Sequence, residues 1–230
     1  MQINPQLEHD YLSLQGTVDQ WFSRCVEAGG EMLACRAGCG SCCRGLFDIT
    51  LLDAFLLKRA FAKLPETIRE TVLFRCRLRL NELQQRWPGL GQPLLLNGLP
   101  EREWTEMPED DETPCPLLGE EGVCLVYSAR PLICRLHGLP NVDCSGEDFE
   151  GTVCTLHKGD PETLPTDILR AEFREIFAKE VVILRQFARE LTGQDTAELD
   201  TFIPLALLAD YNTVDWRAVV WSRQLAEKSP

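Results

Sequence analysis

Four cysteines fall within nine positions of this chain, in the stretch ACRAGCGSCCRG: Cys35, Cys39, Cys42 and Cys43. Gly38, Gly40 and Gly45 interleave with them. Glycine lets a backbone bend around an ion and approach it closely. Cys42 and Cys43 are neighbours, and a disulfide between neighbours closes only through a strained ring, because bridged cysteines hold their Cα atoms about 4.4–6.8 Å apart with suitable Cβ directions. The stretch therefore reads as a metal-binding or redox loop around which the rest of the chain must be arranged.

The wider cysteine usage agrees. The chain has 230 residues and eleven cysteines, an odd count. The N-terminus, MQINPQLEHD, has neither the basic region nor the apolar core of an export signal. In a reducing compartment, clustered thiols are metal ligands or redox groups more often than disulfides, and a cytoplasmic location is expected. The formal net charge is −13 and no Lys/Arg cluster stands out, which argues against nucleic-acid binding. The longest apolar runs, such as FIPLALLA, are far too short to span a membrane.

Apolar periodicity divides the chain. Leu14, Val18, Trp21, Phe22 and Cys25 follow a helical period over about Gln6–Ala28. A helical hairpin is expected over Leu51–Ala62 and Glu66–Trp87, punctuated by Pro65 and closed by Pro88-Gly89. Ile68, Val72, Cys76, Leu80, Leu83 and Trp87 mark one face of its second helix. Gly91 to about Asp160 is irregular, rich in proline and holds five cysteines. It includes EREWTEMPEDDET, which reads as a solvated acidic loop, with docking of a basic protein partner as the lesser alternative. Leu169, Phe173, Ile176, Phe177, Leu184, Phe187 and Leu191 predict one helix over Thr166–Leu191, and a short helix is expected over Val214–Glu227. The expected fold is mainly α, with helices packed around an irregular, cysteine-rich metal-binding centre. Residues 1–34 form a helical lead-in, 35–160 the cysteine-rich metal-binding domain including the hairpin, and 161–230 a C-terminal helical region.

Cys25 and Cys76 lie on apolar helix faces and read as small core residues. Cys35, Cys39 and Cys42, at spacing C-x3-C-x2-C, suit three corners of an iron–sulfur cluster, and Cys43 a second metal or a bridging role. Cys115, Cys124 and Cys134 follow at intervals of nine and ten. Zinc ribbons pair two C-x2-C knuckles; this chain has one, Cys39–Cys42, and its other intervals are long. An iron–sulfur cluster is the preferred cofactor, with zinc the alternative.

CRAGCGSCC, followed by CPLL, GVCLVY, RPLICR and HGLP, resembles the CxxCxxCC family of zinc- or iron-chelating proteins, the YkgJ-like family, over about Cys35–Cys154. The resemblance implies Cys35, Cys39, Cys42, Cys43, Cys115, Cys124 and Cys134 as ligands. It adds Cys154, in a C-x-L setting, as an eighth. Cys144 is a weaker candidate. Here three residues, not two, separate the first pair of cysteines, a variation that should leave ligation intact.

Arg130, Arg135 and His137 flank Cys134. A guanidinium would offset the charge of a four-thiolate site and donate hydrogen bonds to sulfur. The plainer role is to hold the loop through carboxylates or carbonyls. His137 reads better as a hydrogen-bonding loop residue than as a ligand. The expected function is a metal-binding protein holding an iron–sulfur cluster, zinc or both through clustered cysteines. The alternative is a cluster-dependent redox or protein-modifying enzyme, for example with an activity like that of the flagellin lysine methylases, which carry a related cysteine pattern. No nucleotide-binding glycine loop, H-E-x-x-H or nucleophile elbow is present to support catalysis.

Overall fold

The computed structural model describes residues 3–36, 38–99, 112–149, 151 and 153–219. Helix α1, Pro5–Gly29, starts where Asn4 Oδ1 accepts the Gln6 N–H at 3.0 Å and Pro5 takes the first position, a site at which its missing N–H costs nothing. Helix α2, Leu51–Phe61, is capped by Thr50 Oγ1, which accepts the Asp53 N–H at 3.1 Å. Helix α3 is Glu66–Arg86, α4 Leu132–Leu136, α5 Thr166–Leu169, α6 Phe173–Thr192 and α7 Ile203–Leu208. The protein is thus mainly α. The only named strands among the described residues are β1, Asp48–Thr50, and β2, Asp200–Phe202. They pair antiparallel with Thr50 opposite Asp200. None of the described helices is long and apolar enough to cross a membrane.

The core has two parts. The larger joins α2, α3, α7 and the Leu90–Leu99 segment with the start of α1. The smaller joins Leu14, Val18, Trp21 and Cys25 of α1 to Leu132, Leu136, Leu169, Phe173 and Ile176. Trp21 ties this second part together: its indole N–H donates to Leu169 O at 2.6 Å and its ring meets Phe173 edge-on at 4.9 Å. The short helix α4 sits where the two parts meet. Leu132 and Leu136, one turn apart, face the smaller core, while Cys134 packs against the larger.

The hairpin follows the sequence closely. Val72, Cys76, Leu83 and Trp87 are buried, with Ile68 and Leu80 packed beside them. The C-terminal third does not. Expected as one helix, Thr166–Leu191 is two, because Ala171 leaves the helical path to bond with the Val142–Cys144 segment. Its N–H donates to Val142 O at 3.2 Å and its carbonyl accepts from Cys144 N at 3.0 Å. Residues 214–219 form turns rather than a helix; the remainder of the expected Val214–Glu227 helix lies outside the described residues. FIPLALLA is the end of β2 and helix α7, packed against α2 and α3. Six residues cannot hold a helix by propensity. Full burial of Ile203, Leu205 and Leu207, worth about 1.5–3 kcal/mol per side chain, does so instead. Lys58 Nζ closes its end by donating to Leu207 O at 3.0 Å and Ala209 O at 2.6 Å.

Candidate metal centre

The two cysteine-bearing segments meet backbone to backbone. Gly45 N–H donates to Thr113 O at 2.8 Å and Cys115 N–H to Cys43 O at 2.9 Å, with Arg44 and Pro114 paired between them. Leu118 pairs with Cys124 across the next turn. That turn lies so close to the first loop that a Cβ on Gly122 would collide with the Gly38 carbonyl oxygen. Gly122 also has φ +74°, so a side chain is excluded there on two grounds.

Cys154 arrives from the far side. Its N–H donates to Gly138 O at 3.1 Å. A Cβ on Gly138 would stand 3.4 Å from Cys35 Sγ and 3.9 Å from Cys154 Cβ; this glycine therefore lies between the two thiol residues. His157 fastens the same place. Its Nδ1 accepts the Ala34 N–H at 3.0 Å, so its proton is on Nε2, which donates to Gly138 O at 2.7 Å. Both ring nitrogens are occupied, and the residue acts as a clasp between three loops.

No disulfide links the eleven cysteines, and their burial sorts them. Cys25 and Cys76 are buried, Cys144 is exposed, and the other eight are intermediate. Like-charge effects connect several of those eight. Burial pushes the Cys35 thiol up to about 11, with Cys154, Cys39 and Cys42 adding smaller like-charge effects. The Cys43 thiol is raised by its hydrogen bond to Cys42 and by burial, with Cys115 and Cys134 within electrostatic reach. Burial likewise raises Cys134, where Cys115 and Cys124 contribute, and lifts Cys115 to about 11. The hydrogen bond from Cys43 brings Cys42 down to about 6. Cys42 is thus within electrostatic reach of Cys35, and Cys43 of Cys115 and Cys134. Among the described residues no three His, Cys, Asp or Glu side chains are gathered closely enough to hold a metal ion.

The donor chemistry suits zinc or iron, for which thiolates are preferred ligands. Thiols raised by burial stay protonated without metal, so binding would release protons. Arg130 is a cation within electrostatic reach of three of these thiols. Its charge lowers the Cys42, Cys124 and Cys134 thiols, its guanidinium lies 3.7 Å over the Tyr127 ring, and its Nη2 reaches Asp19 Oδ1 at 3.4 Å. Arg135 is committed elsewhere. It pairs with Asp19 and donates to Arg130 O and Ser128 O, both at 2.9 Å, the loop-holding role. His137 rests edge-on against Phe47 at 5.4 Å, its pKa lowered by burial. Cys144 stands apart, beside Glu172, Asp143 and Arg170.

Neither Asp53 nor Asp19 carries a sequence signal of its role, and His157 stands outside the cysteine spacing that marks the site. Asp53 is 3% exposed in the first turn of α2, where an acid after a Thr cap looks ordinary. Its folded role depends on Gln15 and Leu132, far away in sequence.

The family model for CxxCxxCC, described as a "Putative zinc- or iron-chelating domain", matches residues 34–155. The chain belongs to this family. Compared with the curated proteins and with the solved structures, it has no significant match.

Proposed function

We propose that the protein binds metal through two four-thiolate sets, Cys35, Cys39, Cys42 and Cys154 in the first and Cys43, Cys115, Cys124 and Cys134 in the second. The observation that supports this reading is the sorting of the cysteines by burial, with eight at intermediate burial on segments joined at Cys43–Cys115 by a backbone hydrogen bond and at Cys35–Cys154 across Gly138. Structural cysteines of a core would be buried like Cys25 and Cys76, and thiols with no shared role would lie apart, as Cys144 does. Arg130 supplies a positive charge beside three of the eight thiols.

The long intervals between Cys115, Cys124 and Cys134 favour iron–sulfur occupancy over a ribbon-type zinc site. Protein purified without oxygen is expected to be brown, with iron and acid-labile sulfide. A colourless preparation with stoichiometric zinc would replace the iron–sulfur assignment and leave chelation standing. Absence of both metals from protein made with ample supply would remove the whole reading.

A further inference from the structure

Asp53 is a buried polar group that the thiol arrangement leaves unexplained. Burial penalises an ionised carboxylate heavily unless its oxygens accept hydrogen bonds. Asp53 Oδ1 accepts the Gln15 Nε2–H at 3.0 Å, and Oδ2 accepts the Leu132 N–H at 3.4 Å. Leu132 opens helix α4 directly after Pro131, and Cys134 lies two residues further on. A five-residue helix has no stability of its own. This one is fastened by its apolar side chains Leu132 and Leu136, by Arg135 on Asp19, and by Asp53 at its first N–H.

We infer that Asp53 is a positioning residue of the metal centre: by accepting the Leu132 N–H, its carboxyl sets the turn that holds Cys134 on the core face against which Cys115 and Cys124 also pack. The inference rests on the reading of Cys134 as a thiolate ligand. An apolar residue at position 53 would leave a buried N–H without a partner and free the turn to rotate about its leucine contacts. What the turn requires is an acceptor, not a charge. Asparagine can offer Oδ1 to Leu132 while its amide donates to a turned-over Gln15 side chain.

The test is competition titration of the metal-free full chain with cobalt(II), a spectroscopic stand-in for zinc, against a chelator. Cys134→Ser should abolish one of two metal equivalents. Asp53→Leu should keep its helical circular dichroism, retain one equivalent at wild-type affinity and bind the other about 10–100-fold more weakly, with altered thiolate–cobalt absorption. Asp53→Asn should restore both affinity and spectrum. Wild-type titration of Asp53→Leu overturns the positioning role, and so does an Asp53→Asn protein as weak as Asp53→Leu, since charge would then be the active property. Unchanged stoichiometry in Cys134→Ser instead removes the ligand reading, and the inference with it. If Asp53→Leu does not fold, amide exchange in the metal-free wild type decides: Leu132 N–H should be protected like the core, and fast exchange there overturns the inference.

Discussion

Cys115, Cys124 and Cys134 pack against the larger hydrophobic core, and the helix bearing Cys134 is bonded to α1 and α2 through Asp19 and Asp53. Cys35 and Cys154 sit on loops tied mainly to one another, through Gly138, the His157 clasp and the bond from Lys158 N–H to Met32 O at 2.9 Å. The two proposed thiol sets would thus share a chemistry and differ in scaffolding. A site whose ligands ride on core elements loses little order when metal leaves, whereas a site assembled from loops depends on its metal for that order. On the proposed reading, the first set is expected to be the exchangeable one and the second the persistent one.

Metal removal gives the largest effect. Chelation should strip hydrogen-exchange protection from Cys35–Gly45 and from the Cys154–His157 turn first, then from the Cys115–Cys124 turn, while Leu132 and α6 keep their protection. Simultaneous loss everywhere would place the metal in the global core, and unchanged exchange would show that the cysteines do not hold these loops.

Single ligand changes come next. Cys154→Ser and Cys134→Ser should each remove one metal equivalent, but only Cys154→Ser should leave the cobalt spectrum of the second set intact. Identical residual spectra would merge the two sets into one centre.

His157→Ala sharpens the contrast at lower cost. It unfastens Ala34 from Gly138 without touching a thiol, and should weaken the first set about tenfold or more while the second binds as before. Equal weakening of both sets would break the division.

A smaller effect concerns pH. Burial raises Asp53, Glu180 and Asp200 to about 7 each, with neighbouring carboxylates adding to the shift of Glu180 and Asp200. Their folded values exceed the unfolded ones, so the folded chain binds more protons. The stability they contribute is fully present below about pH 4 and is lost as pH rises through about 7. In metal-free protein, Asp200→Asn should therefore be more stable than wild type at pH 8, with the advantage shrinking steadily toward pH 5. Denaturant unfolding at both pH values measures it; an advantage independent of pH would show that the carboxylate is not raised. Smallest of all, Cys144→Ser should leave metal content unchanged.

Much of this could be read from the residues. The stripe Leu14–Val18–Trp21–Cys25 and the face Val72–Cys76–Leu83–Trp87 specify α1 and α3 because helical periodicity is a local property that survives packing. The motif cysteines were equally visible, since thiols crowded among glycines have few other uses. Other features depended on partners distant in the chain. The break at Ala171 arises from bonds to Val142 and Cys144. Helix α7 exists because α2 and α3 bury it, and FIPLALLA has no period of its own to announce it. Asp53 looks like any first-turn acid until tertiary packing sets Gln15 and Leu132 against its two oxygens. Sequence determined which groups can bind metal and which segments can coil, because both are written in residue type and spacing. Only the tertiary structure decided how the cysteine-bearing segments are held, because a hydrogen bond between residues 53 and 132 leaves no pattern in either segment alone.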